Sequence, residues 1–429
     1  MQLLIKNGRL IDPATGYNGV CDIGIDNGKI VEISSSIPVV KGDQLIDASG
    51  LIVSPGFIDL HVHLREPGQE HKETIESGAR AAVYGGFTSI ACMPNTTPVN
   101  DNDGITGWIV NRGKEVGLAN VFPIAAISMK QESKTLTDME SLVKAGAVGF
   151  SDDGRCVMSG ELFKQALLKA KELRVPVIEH PEDHEISKDG QVNDGETARR
   201  LGVGGIPASA EDKIIERDIR LQEETNSFLH LTHLSTVGSI ELLRQAKGRN
   251  VRVTSDVTPH HLLLDDSVLK TKNPNYKMKP PLRSEKDRIA LMEGLRTRII
   301  DCIASDHAPH SREEKNKSFE SAPFGIIGLE TSFNVIYDGL VRRGIIDLYR
   351  MIETFSTMPA GILHLNDRGI VKQGLPADLT ILDLEKSFKI NEERFQSKSI
   401  NCPFIGWEGK GIVAYTVVNG RIVFDHRNG

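Results

Sequence analysis

Eight short apolar runs, separated by helix-length amphipathic segments, govern what this chain can become. The runs are Val53–Leu64, Phe87–Asn95, Val121–Ser128, Ala147–Gly154, Val175–Glu182, Phe228–Ser235, Val251–Thr258 and Ile299–His310. Between them lie segments such as Thr74–Tyr84, Ser159–Leu173, Ala210–Glu224, Ser239–Ala246 and Glu285–Leu295, with apolar residues at helical spacing. Strands alternating with helices in one continuous block predict an α/β fold, a closed parallel (β/α)8 TIM-like barrel. An open doubly wound sheet is the competing architecture, but no Gly-rich phosphate turn follows the first run.

The two ends of the chain carry a different signal. Leu3–Ile11, Asp22–Val31 and Ala414–Phe424 each contain an Asn-Gly pair, at Asn7-Gly8, Asn27-Gly28 and Asn419-Gly420. Asn-Gly accepts positive φ at both central positions of a type I′ turn, so each pair reads as a hairpin turn between strands. Ala377–Leu382 adds a further strand. The expectation is one small β-sandwich domain built from both termini, 1–52 and 366–429, around a barrel at 53–365. Two independent terminal domains are the alternative.

Composition narrows the function classes. Of 429 residues, 39% are hydrophobic and 25% charged, the ordinary mix of a globular enzyme. Lys and Arg number 51 against 58 Asp and Glu, for a net charge of −7 with no basic block, which argues against a nucleic-acid surface. Five cysteines without a Cys-x-x-Cys pairing favour a reducing compartment over a disulfide scaffold. The N-terminal residues lack the apolar core of a leader, and no run approaches the roughly 20 apolar residues of a membrane span. The chain therefore reads as a cytoplasmic enzyme with neither nucleic acid nor membrane as partner.

Several runs start apolar and finish polar, in His61 and His63, Asn95, Asp152-Asp153, Glu179-His180, His233 and Asp306. Barrel enzymes place their chemistry at these C-terminal strand ends, where the following loops converge. His61 and His63 are two apart on a strand and so share a face. Alone, a His-x-His pair is more often packing than a ligand site. Joined by His180, His233 and carboxylates at one barrel mouth, it forms a set suited to Zn2+, with room for two ions sharing a carboxylate.

The run Gly56-Phe57-Ile58-Asp59-Leu60-His61-Val62-His63-Leu64-Arg65-Glu66-Pro67-Gly68 resembles the signature of dihydroorotases, of the class I bacterial type, within the amidohydrolase superfamily. Met93–Thr96, Gly149–Gly154 and Ala304–His310 match the same family in order and spacing. The resemblance implies reversible hydrolysis of the cyclic amide of dihydroorotate to N-carbamoyl-L-aspartate in pyrimidine biosynthesis. It also implies one or two zinc ions per subunit, with His61, His63, Asp153, His180, His233 and Asp306 as ligands. Many relatives bridge two metals with a carboxylated lysine at the fourth strand. Gly149–Asp153 holds no lysine, and Asp153 takes that place, with Asp152 pointing to the other face. Lys144, in a helical segment upstream, reads as solvated.

The same resemblance gives Asp306 a second role, as the catalytic base that carries a proton from water to the leaving ring nitrogen. It assigns substrate contacts to His63, Arg65, Asn95, His310, Phe324 and Gly325. Arg65 suits a substrate carboxylate because a guanidinium grips one bidentately; a salt bridge to Glu66 is its ordinary reading. One departure stands at Met278-Lys279-Pro280-Pro281-Leu282-Arg283, where Lys279 replaces the family's substrate-contacting asparagine. Lys279 is expected to donate to the substrate ring in its place. The segment Ser311–Gly328, long, charged and glycine-ended, is expected to be a flexible active-site loop.

As partners, the resemblance implies a small-molecule substrate and a homo-oligomer, and raises association with an aspartate transcarbamoylase. Two other readings compete. A hydantoinase or allantoinase is disfavoured by Arg65 and Asp153, and a non-catalytic subunit of dihydroorotase type by the full ligand set. The remaining candidates read as structural. His71 and His426 are expected at the surface, and His230 packed on the opposite side of its strand from His233. His260-His261 either orient ligands or merely pack. Cys92 and Cys302 are core hydrophobes, and Pro55-Gly56 shape the entry to the first strand.

Overall fold

The computed structural model describes residues 2–426. Each of the eight apolar runs supplies one strand of a single parallel sheet. These are β1 Phe57–Val62, β2 Phe87–Cys92, β3 Asn120–Ala125, β4 Gly149–Phe150, β5 Val177–Glu179, β6 Leu229–Leu231, β7 Val253–Val257 and β8 Cys302–Ile303. Sequence neighbours are sheet neighbours throughout. A parallel bridge between Val62 and His307, with His63 N–H donating to the His307 carbonyl at 2.9 Å, brings the last run back against the first. The barrel is thereby nearly closed.

Helices wrap it as their spacing predicts. Helix Gly160–Leu173 is capped by the Ser159 hydroxyl and buries Phe163, Ala166, Leu167 and Ala170, one stripe at i, i+3, i+4 and i+7. Thr74, Thr236 and Ser284 cap three further helices in the same way. The end opposite the strand carboxyl termini is plugged by aromatic rings. Phe57 and Phe87, the first residues of β1 and β2, meet Phe355 at centroid distances of 5.3 and 5.8 Å.

A second sheet is assembled from both ends of the chain. Its order is Arg421–Asp425, Glu408–Val418, Leu379–Lys389, Ile52–Pro55, Leu3–Asp12, Tyr17–Asp26 and Lys29–Ser34, with Gln44–Asp47 also paired to Leu3–Asp12. Asn27-Gly28 and Asn419-Gly420 join neighbouring strands, as expected. Asn7-Gly8 does not. It lies inside the strand Leu3–Asp12 as a bulge, with Asn7 at φ 61°. There the Asp22 carboxylate accepts the Asn7 N–H at 2.8 Å, so a side chain replaces the ladder partner and the strand runs on.

The run Val53–Leu64 also differs from expectation, since it serves two sheets. Ile52–Pro55 pairs with Leu379–Lys389 of the second sheet, and the chain enters the barrel only after Gly56. A Cβ at Gly56 would sit 2.2 Å from the Thr88 hydroxyl oxygen, so this crossing admits only glycine. All five cysteines are free and buried, and among the described residues no helix is long and apolar enough to cross a membrane.

Candidate active site

Five strand ends converge on one buried cluster. Asp153 Oδ1, after β4, lies 3.2 Å from His61 Nε2, 3.5 Å from His180 Nδ1 and 3.7 Å from His233 Nε2. Its Oδ2 is 3.5 Å from His63 Nε2. Asp306 Oδ1, after β8, is 3.1 Å from His63 Nε2 and 3.5 Å from His61 Nε2. His180 Nδ1 and His233 Nε2 face each other at 2.8 Å. The backbone is bent to aim these groups: His233 and Asp306 take φ of 41° and 45°, a region that non-glycine residues occupy only where the surrounding structure holds them.

The cluster brings together all six residues that the sequence nominates as ligands, in three overlapping groups whose donor atoms lie within 4.8 Å of one another. Electrostatics split the imidazoles: burial holds His63 below its ordinary value, although Asp306 opposes this, while two others are raised. Burial opposes a charged His61, but Asp153 and Asp306 outweigh it and push the imidazole up to about 9. Burial likewise opposes a charged His180, and Asp153 with Glu182 raises it to about 10. Against its own burial, Asp153 is held well below the carboxylate range by the surrounding imidazoles. His61 Nε2 and His233 Nδ1 are buried without hydrogen-bond partners. The orphaned His61 Nε2 faces both carboxylates, and with the other imidazoles around Asp153 it makes a donor set that fits a divalent cation of borderline hardness.

A layer behind the cluster sets ring orientation. Thr232 Oγ1 lies 2.7 Å from His61 Nδ1 and donates to Asp256 Oδ2 at 2.8 Å. Asp256 also accepts His233 N–H at 2.7 Å and faces His230 Nε2 at 2.8 Å, so His230 packs away from the site as expected. Asp152 turns from the cluster to accept the Ile127 and Ser128 N–H groups at 2.9 and 3.1 Å. His261 lies 2.7 Å from the Thr258 hydroxyl and 3.0 Å from the Pro280 carbonyl, which makes it a loop brace, while His260 is buried beside it. Lys144 is exposed and pairs with Glu140. Cys92 is a core residue whose thiol burial pushes up to about 12.

Around the rim, Arg65 is 8% exposed at φ 61°, donates from Nε to the Pro309 carbonyl at 3.1 Å, and points a terminal nitrogen at His310 Nε2, 3.4 Å away. It is not bound to Glu66, which accepts the Ile75 N–H instead at 2.6 Å. Among the described residues, no carboxylate forms an ion pair with this buried guanidinium. Burial, reinforced by Arg65, Lys72 and Lys315, holds His310 far below its ordinary range, so its ring is neutral; its Nδ1 is buried without a hydrogen-bond partner. Asn95 bridges both halves of the site, with Oδ1 2.9 Å from His63 Nδ1 and Nδ2 3.4 Å from Asp153 Oδ2. Gly325 takes φ 153°, and a Cβ there would sit 2.6 Å from the His310 ring.

Two expectations need revision, that of a flexible segment Ser311–Gly328 and that of a surface-exposed His426. The segment Ser311–Gly328 is tied down. Lys277 Nζ donates to the Phe319 and Ala322 carbonyls, both at 2.6 Å, and Lys315 Nζ to Pro323 and Gly325 at 3.0 and 3.1 Å. Two buried lysines supply the anchors that the segment's own polar sequence does not advertise. Lys279 has a carboxylate partner: its ammonium lies 2.7 Å from Glu182 Oε1 and 5.4 Å from the centroid of the Phe324 ring. His426 is half-buried and lines a cavity with Tyr84, Glu330 and Arg394, whereas His71 is exposed as expected. Thr232, Asp256 and Glu182 were not singled out in the sequence. Only Glu182 carried a signal, two residues beyond His180.

A nearly closed parallel barrel with four histidines and two aspartates gathered at its strand ends has the architecture of the amidohydrolase class. The comparisons with known proteins agree. Residues 50–239 match the Dihydro-orotase-like family and residues 224–424 the Amidohydrolase family. Dihydroorotases of Geobacter metallireducens and Geobacter sulfurreducens are 45% and 47% identical to this chain, each over 99% of it and over 100% and 99% of their own lengths. Among solved structures, the L-hydantoinase (dihydropyrimidinase) from Arthrobacter aurescens superposes with a TM-score of 0.88 at 26% identity, covering 99% of this chain and 96% of that one. A D-hydantoinase (dihydropyrimidinase) from Thermus sp. gives 0.84 at 26% identity, covering 99% and 95%. The chain belongs to the dihydroorotase family.

Proposed function

We propose that this enzyme interconverts (S)-dihydroorotate and N-carbamoyl-L-aspartate, with zinc held by His61, His63, Asp153, His180, His233 and Asp306. When bound, the metal supplies the Lewis acidity that makes water nucleophilic near neutral pH and polarises the ring carbonyl. The chain's own residues do the rest. Arg65 takes the substrate carboxylate bidentately, and Asn95 and the neutral His310 complete its hydrogen bonds. Gly325, lacking a side chain, lets the substrate approach the His310 ring, and Phe324 walls the site. His63 faces the substrate as well as the cluster.

Asp306 is the proton carrier. Water adds to the ring carbonyl carbon, the C–N bond breaks, and Asp306 moves one proton from the water to the departing ring nitrogen. The reverse cyclisation returns that proton along the same route. Closed barrel walls and the pinned segment Ser311–Gly328 keep bulk water from the reacting atoms.

The observation that carries this reading is Arg65, a buried guanidinium paired with no acid among the described residues and placed two residues beyond the His61–His63 pair. Dihydroorotate, with a carboxylate beside a neutral ring, supplies the missing partner. The test is turnover of dihydroorotate, hydantoin and allantoin by zinc-loaded protein. Dihydroorotate is expected to be preferred by at least tenfold, and equal or greater turnover of the uncharged rings overturns the reading.

The proposal extends to organisation and setting. The chain is taken as a two-domain enzyme, 53–365 around the site and 1–52 with 366–429 beside it; Met1 and residues 427–429 lie outside the described residues. Five buried free cysteines and the lack of a membrane-crossing helix among the described residues support action on a small molecule in the cytoplasm. Self-association is part of the same reading, and light scattering of the purified protein tests it.

A further inference from the structure

His180 has one ring nitrogen on each side of a boundary. Nδ1 faces the cluster, 3.5 Å from Asp153 and 2.8 Å from His233, while Nε2 faces Glu182 Oε2 at 3.2 Å. The other oxygen of Glu182 is 2.7 Å from the Lys279 ammonium. His184 approaches the same oxygen at 3.7 Å, and Arg283 is occupied by the Ile206 carbonyl at 2.6 Å, so Lys279 is the nearest cation to this carboxylate. Glu182 is 6% exposed, and a carboxylate this buried needs cations and hydrogen-bond donors around it. Lys279 answers that requirement.

The space between these groups is too small for a substrate. The cavity bounded by His180, Glu182, His233, Lys279 and Pro280 measures about 10 Å³, at the lower limit for one water. A substrate ring reaching the ammonium would have to break the ion pair and uncover the Glu182 charge.

We propose that Lys279 is a positioning residue for the metal centre and not a contact to the substrate. Lys279 fixes Glu182, Glu182 fixes Nε2–H of His180, and the ring thereby presents Nδ1 to the cluster. Carboxylates that orient ligating histidines commonly contribute 10–100-fold in metal affinity, and here the carboxylate is itself held from behind by an ammonium. The contact with the Phe324 ring ties the same lysine to the segment that roofs the site. The inference rests on the metal-dependent reading above, but its principal measurement needs no substrate.

The test is zinc affinity of the purified full-length protein, by competition with a chromophoric chelator, alongside kcat and KM for dihydroorotate at saturating zinc. Lys279→Met is expected to weaken zinc about tenfold or more and to lower kcat, with KM within about twofold of the parent. Lys279→Arg, which keeps the charge, is expected to restore most of the affinity. Glu182→Gln should weaken zinc similarly, and the double variant no further than Glu182→Gln alone, because the two act in series. A KM increase above tenfold with zinc affinity intact overturns the proposal, as do additive losses or unchanged affinity. Should Lys279→Met fail to fold, Lys279→Arg and Glu182→Gln still decide it. A protein that loses zinc affinity as described yet ignores dihydroorotate would sink the substrate assignment and leave the clamp standing.

Discussion

The Thr232 hydroxyl donates to Asp256 at 2.8 Å, and that bond decides which nitrogen of His61 faces the cluster. Asp256, ionised, can only accept, so the hydroxyl proton points to it. The oxygen is then left to accept, and His61 Nδ1, 2.7 Å away, must carry the ring proton. Nε2 is thereby the nitrogen turned to Asp153 and Asp306, where it holds a proton in the metal-free protein and would give its lone pair to a metal in exchange for that proton.

This relationship predicts that Thr232→Val, nearly isosteric, weakens zinc binding by about 10–100-fold. The metal-free protein should also melt lower, because Val leaves the buried His61 Nδ1–H without its acceptor and Asp256 without a donor. Chelator competition measures the first effect and calorimetry the second. Parent-like zinc affinity would mean that the tautomer of His61 is set by something other than this hydroxyl.

Arg65 and Asp306 should separate binding from chemistry. Removing a charge-assisted partner of a substrate carboxylate costs about 1.5–3 kcal/mol, which is roughly 10–100-fold. Arg65→Ala is therefore expected to raise KM by that factor with zinc content intact. Asp306→Asn keeps the shape and removes the base, so kcat should fall about 100-fold or more while dihydroorotate still binds. Steady-state kinetics with metal analysis of both proteins checks the division. Identical profiles would show that the two residues do not divide the work as assigned.

What was legible in the sequence follows from local physics. Each barrel strand announces itself as an apolar run because it is buried on both faces, and its polar end stands out because charge is rare there. His61 and His63 share a face by the period of a strand. The contacts that the sequence did not disclose are those made between distant segments. Asn7-Gly8 has the composition of a turn, but Asp22 reaches across to make it a bulge. Ser311–Gly328 has the composition of a mobile loop, but Lys277, which precedes it, and Lys315 tie its carbonyls. Lys279 reads as a substrate donor from its place in the motif, and only the fold sets Glu182 beside it.

Glu330 offers a pH signature outside the active site. Burial pushes its carboxyl up to about 8, although the Gln396 and Ser397 N–H groups at 2.8 and 3.1 Å partly offset this. A carboxyl whose folded value exceeds its unfolded value of 4.5 binds more protons in the native state between those two values. Its contribution is thus full below about pH 4.5 and is lost as pH rises through about 8, with a limiting slope of about 1.4 kcal/mol per pH unit. Glu330→Gln should flatten the fall in stability across this window, at some loss overall because the amide cannot accept both backbone bonds. Urea unfolding at several pH values measures the slope, and an unchanged slope would assign it to other groups.

Lys315 should control the roof of the site in the opposite pH direction. Lys315 is 6% exposed, its ammonium donates to the Pro323 and Gly325 carbonyls, and burial together with neighbouring Lys277 lowers it to about 7. Lys277, similarly buried, falls to about 8, with Glu320 raising it slightly and Lys279 lowering it. For a lysine whose folded value lies below its unfolded 10.5, the unfolded chain binds more protons between about pH 7 and 10.5, so the stability of the pinned segment rises with pH across that window. Protection of the amides of residues 311–328, corrected for intrinsic exchange, should therefore increase from pH 7 to pH 9. Lys315→Met should abolish much of that increase and raise KM several-fold, because Phe324 and Gly325 ride on the same segment. If protection instead falls with pH, the ammonium form is what holds the carbonyls, and the roof is closed by charge rather than by relief from it.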